Sequence, residues 1–484
     1  MKNRRKRLFL GIGLFFLAIA LLTCLSPRFA SKIDPREKLP LEQHIELATE
    51  IARDKVTYTI EALNQSHPLT ATDYFPYITR QEPPWREKFW KNFIKRQTMP
   101  HKGEWIYKGA KNWPSGAFPG ILWKLSALET DPAKQAVWIA QAKAWSEPMR
   151  SQIPTKEDMT LNNWAVFQPW YEHSQGQERQ QQLDALNDGA KILATPYRQG
   201  TGNFHEAIGT MGFVYPARQD RKSHWQAFID HSINVEQLLW AAAHSSNTSE
   251  AQDWKTKAIR HIKTLAAHFE HNVDPSSHLE QIRTGQRSFF EDNAQSPHYG
   301  KFLFSEGKQG WHDRSVWSRG QAWFIYAASV TYAYSQDSEV LAIAKQSINY
   351  FLAHLPDRFP GARRRPGDFI ALWDFDYALQ KDPDTERDSS AAAIAVDGII
   401  RLLKVLPSHD VDRARYLKEA QNILYQLTSS DYLPNKDSPE QSILRHGCYH
   451  HPQALKPGKG IEDNGLIWGD YFFLDAIVNY RKLN

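Results

Sequence analysis

Four stretches of this 484-residue chain gather side chains suited to handling hydroxyl-rich molecules: YKGAKNWPSG (107–116), FIDHSIN (228–234), EGKQGWHDRSVW (306–317) and LRHGCYHHPQALKPGKGIEDNG (444–465). Trp113, Trp317 and Trp323 offer indole faces on which sugar C–H groups pack. Indoles are costly to bury completely because the N–H needs a partner. Each tryptophan serves equally as core, and two of the three are expected to act as platforms. The amides of Gln309 and Gln321 can hydrogen-bond sugar hydroxyls. Arg319 is planar and permanently charged, which suits a uronate carboxylate or a sulfate, and equally suits a structural salt bridge. Asp230 sits where an apolar helical pattern begins. That is a favoured place for an N-cap. In a dry, aromatic mouth the same carboxyl would have a raised pKa and could act as a proton donor. His446, His450 and His451 cluster in one loop, but no carboxylate at ligand spacing accompanies them, so no metal is expected. Asp388 before SSAAA reads as a helix cap. Trp373, Asp374 and Asp376 either line the mouth or brace it, and nothing visible activates Cys448.

Helical periodicity surrounds these loops. Apolar residues recur at helical spacing over 41–63, 117–129, 133–149, 232–245, 322–335, 340–355, 390–406 and 471–483, whereas alternating strand-like runs are scarce. The polar segment 173–191 reads as a solvated turn leading into an exposed helix. The helices often come in pairs, joined by loops dense in Trp, Gly, Pro, His and Asp. This arrangement predicts an α/α toroid with its site at one loop-rich mouth. The rival is a stacked helical-repeat scaffold, whose loops would be shorter and chemically emptier.

Composition is globular, with 41% hydrophobic and 23% charged residues. The net charge is +5, and Lys2, Arg4, Arg5, Lys6 and Arg7 supply five positive charges, leaving a neutral body. The basic balance is therefore no sign of nucleic-acid binding. The two cysteines, Cys24 and Cys448, exclude a disulfide framework. Residues 8–25 form an 18-residue apolar run behind the basic cluster. As a helix it would span roughly 27 Å, nearly a bilayer core. The reading is a signal anchor at 1–25, a proline-containing linker at 26–40 and a single domain at 41–484. The basic flank places the body outside the cytoplasm, on the periplasmic side of the inner membrane in a Gram-negative cell. Cleavage of the segment and secretion is the alternative.

Several junctions resemble glycoside hydrolase family 88, the unsaturated glucuronyl hydrolases. DRSVWSRGQAWFIY (313–326) is similar to the family's D-x-S-x-W-x-R-G-Q-A-W-x-x-Y. NWPSGAFPGILW (112–123), FIDHSINVEQLLWAA (228–242), WDFD (373–376), DSSAAAIAVDGIIRL (388–402), HGCYHHP (446–452) and GLIWGDYFFLDAI (465–477) follow in the family's order. The resemblance implies an all-α (α/α)6 barrel acting on oligosaccharides that end in a 4,5-unsaturated uronic acid, the products of polysaccharide lyases. It implies protonation of the ring double bond at C4, addition of water at C5 and collapse of the hemiketal, with no cofactor. It assigns Asp230 as the catalytic aspartate and adds weight to Trp113, Gln309, Trp317, Arg319, Trp323 and His450 as substrate-binding residues.

The pattern departs at two places. Anchoring MTLNNWAVFQPW (159–170) on Thr160 puts Asn162 where the family carries a second essential Asp, with Asn163 as the alternative alignment. Glu157 and Asp158 stand nearby as possible substitutes. Lys308 replaces the histidine of the family's H-Q-G. Asn cannot exchange a proton as Asp does. Three functions therefore remain open: an unsaturated uronyl hydrolase, a related unsaturated rhamnogalacturonyl hydrolase, and a non-catalytic carbohydrate-binding or scaffold protein of an envelope polysaccharide system.

Overall fold

The computed structural model describes residues 39–66, 74–80, 103–150, 160–204, 224–454 and 461–483. The anchor of 1–25, nearly all of the linker, and Glu157 and Asp158 lie outside the described residues. Among the described residues, no helix is long and apolar enough to cross a membrane.

Leu41–Asn484 is one compact unit. Its helices alternate between an outer and an inner ring. In chain order they are Leu41–Ser66 (α1), Ala117–Leu128 (α2), Pro132–Arg150 (α3), Ala165–Glu172 (α4), Gly176–Ala194 (α5) and Val235–His244 (α6). Then come Thr248–His268 (α7), Ser318–Ser335 (α8), Ser338–Ala353 (α9), Ser389–Val405 (α10), Arg413–Leu427 (α11) and Ile467–Arg481 (α12). The even-numbered helices form the inner ring. Neighbours pack α2 on α4, α6 on α8, α8 on α10, α10 on α12, and α12 back on α2. Between α4 and α6 the contact is aromatic, with Tyr171 5.2 Å and Trp164 5.7 Å from Trp240, centroid to centroid. Each inner helix from α2 to α10 hairpins onto the outer helix that follows it, and α1 packs on α2 and α11. The arrangement is the expected (α/α)6 ring.

Sequence chemistry explains the two rings. Helix α8 is buried without interruption from Ser318 to Tyr332, and α12 from Ile467 to Tyr480. Helices apolar on every side belong inside. Helix α10 is alanine-rich and approaches α8 so closely that a Cβ on Gly398 would lie 2.9 Å from Tyr326 Cα. The outer helices bury one stripe only, as in α11, where Tyr416, Ala420, Ile423, Leu424 and Leu427 face inward. Side-chain caps start several helices: Asn247 for α7, Asp337 for α9 and Asp388 for α10. An ion network ties the inner ring together. Arg401 bonds Asp397 (2.9 Å), Glu236 (2.7 Å) and Asp475 (2.6 Å), and Lys124 joins Asp475 at 2.7 Å.

Strands are short and serve the loops. His224–Phe228 pairs antiparallel with Arg287–Glu291, which pairs with Phe302–Glu306. Phe75–Thr79 pairs with Trp105–Lys108.

Candidate active site

The loops that lead into the inner helices carry the residues singled out from sequence, so the ring brings these together where its inner helices begin. An aromatic cluster forms there from segments far apart in sequence. Trp113, before α2, lies 4.7 Å from Trp468 of α12. Tyr449 lies 5.2 Å from Trp468 and 5.9 Å from Tyr77. The Arg319 guanidinium sits 4.5 Å from the Trp317 ring and 5.8 Å from that of Trp468. Trp113 and Tyr77 are half-buried, and the rest of the cluster is buried. Tyr77 carries no sequence signal. It arrives through an antiparallel bridge between Ile78 and Leu466.

Asp230 is half-buried and occupies a 3-10 turn, Ile229–Asn234, upstream of α6. The cap position of α6 belongs to Asn234, so Asp230 is not the N-cap of that helix. Burial raises the Tyr449 phenol above its ordinary range, and the Asp230 carboxylate is among the charges that push it further up. The turn carrying Asp230 packs on α8, whose first turn bears Arg319, and this sets Asp230 beside the aromatic cluster.

Asn162 is buried in the turn Thr160–Trp164 and is fully engaged. Its Oδ1 accepts from Gly116 N (2.9 Å) and its Nδ2 donates to the Asn112 carbonyl (2.9 Å), clasping the loop that presents Trp113. Gly116 is needed at this crossing, because a Cβ would lie 2.0 Å from the Leu161 carbonyl oxygen. Asn163 instead accepts from Gln237 Nε2 (2.6 Å), inside the core.

Other residues expected at the site point inward. Arg319 donates to Asp388, to the Cys448 carbonyl (2.6 Å), to the Tyr449 carbonyl (2.6 Å) and to Gln309 Oε1 (3.2 Å). Its two terminal nitrogens are thus spent on protein acceptors, which favours the structural salt bridge over the substrate carboxylate as the partner of Arg319. Gln321 is likewise saturated. Its Nε2 donates to the Ile282 (2.9 Å) and Ser347 (3.0 Å) carbonyls, and its Oε1 accepts from Thr284 N (3.0 Å). It is a core brace, not a sugar ligand. Trp323 is 2% exposed and packs on Phe472 at 5.2 Å, so it is core. Trp317 is 4% exposed with Arg319 against its ring, leaving Trp113 as the partly exposed one of the three tryptophans. His450 is buried, and its backbone N–H donates to the Ile461 carbonyl at 3.2 Å.

Two braces support the mouth: Gln286, which the sequence does not mark, and Asp374, which it does. Gln286 accepts at Oε1 from the backbone N–H groups of Lys308 and Gln309 (2.6 Å for Gln309), while its carbonyl accepts from Ile229 N at 3.0 Å. It couples the Asp230 turn to the loop carrying Gln309, and no motif marks it. Asp374 accepts from Trp311 N (2.8 Å), Ser315 Oγ (2.7 Å) and Tyr377 N (2.9 Å), so it braces the mouth from behind. Burial holds its carboxyl up at about 6, against the pull of those hydrogen bonds. Asp388 is the expected cap of α10.

A cavity of about 560 Å³ lies on another face of the 306–317 loop, lined by Phe269, Arg283, Phe302, Phe304, Asp313 and Ser315. None of the expected catalytic or substrate-binding residues lines it. The residues singled out from the sequence gather at the aromatic cluster instead.

No family model matches the chain. It is 31% identical over 285 residues to an unsaturated chondroitin disaccharide hydrolase of Streptococcus pyogenes serotype M1, covering 59% of this chain and 60% of that protein. It is 25% identical over 390 residues to an unsaturated glucuronyl hydrolase of Bacillus sp. strain GL1, covering 79% of this chain and 91% of that one. The crystal structure of an unsaturated glucuronyl hydrolase specific for heparin superposes with a TM-score of 0.69 at 21% identity, covering 91% of this chain and 98% of the other. The match to the streptococcal relative thus spans about 60% of that relative's length. In sequence the chain is thus similar to unsaturated chondroitin disaccharide and unsaturated glucuronyl hydrolases, and it shares the fold of the latter.

Proposed function

We propose that the chain hydrolyses oligosaccharides ending in a 4,5-unsaturated uronic acid. The observation that carries this reading is Asp230, a half-buried carboxyl sharing a mouth with Trp113, Tyr77 and Tyr449 in a ring whose motifs follow the order of such hydrolases. Asp230 donates its proton to C4 of the vinyl ether, leaving positive charge shared between C5 and the ring oxygen. Water attacks C5, and the Asp230 carboxylate takes the proton that the water loses. One carboxyl thus serves as acid and then as base. The hemiketal opens, the glycosidic bond breaks with loss of the sugar hydroxyl, and Asp230 ends as it began. Asn162 takes no proton in this scheme. It holds the Trp113 loop.

A purely carbohydrate-binding role is the second reading, favoured by the commitment of the Asn162 amide to Gly116 and Asn112. Turnover in deuterated water decides between them. Hydration of the double bond places one solvent deuterium at C4 of the product, visible by NMR. Direct cleavage of the glycosidic link places none there, and a binding protein yields no product.

The apolar run at 8–25 behind five basic residues supports a membrane-anchored body outside the cytoplasm. Fractionation of the full chain with membranes under salt extraction tests this, and a mature protein starting near Ser31 would contradict it.

A further inference from the structure

Two segments distant in sequence, one carrying Glu386 and the other His451 and Glu462, bring ligand-type atoms to one point beside the mouth. His451 Nδ1 lies 2.7 Å from Glu462 Oε2 and 2.9 Å from Glu386 Oε2. The donor atoms of all three side chains fall within 4.8 Å of one another. The histidine is 7% exposed and its ring stacks on Trp373 at 4.4 Å, which fixes its plane. His451 Nδ1 thus stands at ion-pair distance from both carboxylates. An Nδ1 carries at most one hydrogen and cannot satisfy two carboxylates. With a histidinium the cluster would keep a net charge of −1. With a neutral imidazole and a divalent cation it would be neutral.

We propose that Glu386, His451 and Glu462 form a binding site for a divalent transition-metal ion of the zinc class. One imidazole nitrogen and two carboxylate oxygens are a ligand set that such ions accept, with a further position left for water. Bonds of roughly 2.0–2.2 Å need only a small outward movement of the three atoms. The supports are in place. Thr385 Oγ1 donates to Glu386 Oε2 at 2.9 Å, and Trp373 Nε1 donates to Thr385 Oγ1 at 2.9 Å, orienting one ligand from behind. The segment holding Glu462 is pinned to the His451 loop by paired hydrogen bonds between Gly447 and Asn464, each 2.8 Å.

The consequence is positional. Glu386 stands two residues before Asp388, which holds Arg319, and His451 follows Tyr449, whose carbonyl Arg319 also holds. The ion would lock the loop bearing Tyr449 and His450 onto the start of α10. This inference does not depend on the proposed hydrolysis, and its test reads metal binding alone.

The detergent-solubilised full chain, stripped with chelator, is titrated with Zn²⁺ by calorimetry. Its absorption is recorded with Co²⁺, and its melting temperature is followed with and without Zn²⁺. One equivalent of Zn²⁺, a visible Co²⁺ band and a raised melting temperature are expected. E386Q and E462Q should each weaken Zn²⁺ binding at least tenfold. If the unmodified chain shows no Zn²⁺ uptake and no Co²⁺ band, the site is a histidinium held by two carboxylates and the proposal fails, whether or not the variants fold. Uptake that E386Q and E462Q leave unchanged would place the ion elsewhere and equally overturn it.

Discussion

Arg319 and Asp388 form an ion pair whose side chains are 3% and 0% exposed, and the same carboxylate caps α10 through Ser390 N (3.1 Å) and Ala391 N (3.3 Å). One pair thus joins the start of two inner helices to the loop carrying Tyr449. Arg319→Ala should destabilise the fold by about 3–5 kcal/mol, because it strands a buried carboxylate. Arg319→Lys should recover only part of this, since an ammonium cannot reproduce the forked contacts to Asp388 and two carbonyls. Urea unfolding of the three proteins measures the effect. A loss confined to substrate KM, with stability intact, would show that Arg319 serves substrate instead.

Asn162 gives a pH-dependent test. In Asn162→Asp, one carboxyl oxygen can still accept from Gly116 N, but the other would face the Asn112 carbonyl at about the 2.9 Å now spanned by an N–H···O bond. Only the protonated acid can donate there, so folding should raise its pKa above the ordinary value near 3.9. A raised acid contributes stability below its unfolded value and loses it as pH rises through the folded value. The variant should match the parent near pH 4 and fall behind by about 1–3 kcal/mol at pH 8. Thermal melts across that range should show the gap widening with pH, and a constant gap would refute the clasp.

The Asp374 carboxyl titrates the mouth's rear brace. Its folded value of about 6 lies above that of an unfolded aspartate, with burial as the leading cause. Its protonated form therefore favours folding. The stabilisation is complete below roughly pH 3.9, falls as pH rises to about 6, and is flat beyond; the change is about 3 kcal/mol. Urea unfolding of the parent and of Asp374→Asn from pH 4 to 8 should show the parent's advantage shrinking over that interval and then holding constant. A pH-independent difference would contradict the assignment.

The tryptophans separate core from platform. Trp323→Ala should cost about 3–5 kcal/mol of stability, as expected for a fully buried indole. Trp113→Ala should cost less and raise KM for an unsaturated disaccharide severalfold. Paired melts and Michaelis–Menten curves distinguish the two, and equal stability losses with unchanged KM would remove Trp113 from the site.

Much of the ring is legible in the amino-acid sequence. Inner helices such as α8 and α10 announce themselves by apolar density, and the ordered motifs fix their succession. Helices α7 and α11 escape because each is polar apart from one buried stripe, and α4 because it is short and contains Pro169. Residue chemistry names Arg319 and Gln321 but not their direction. Each can face a ligand or a carbonyl, and only the packing of Ile282, Ser347 and the Cys448 loop decides. The histidine loop offers no carboxylate at ligand spacing, whereas the fold delivers Glu386 from far upstream and Glu462 across a bridge. Gln286 acts through a backbone-binding amide, a role that leaves no spacing signature.

The proposed hydrolysis stands or falls on Asp230 supplying the proton to C4. The deciding quantity is the rate at which the absorbance of an unsaturated uronyl disaccharide disappears with the parent chain and with Asp230→Asn, alongside binding of the same disaccharide. Measurable turnover by the parent, a loss of roughly 10²–10⁴-fold in the variant and nearly unchanged binding are expected. A parent that binds lyase products without consuming the chromophore, or a variant as fast as the parent, would contradict it.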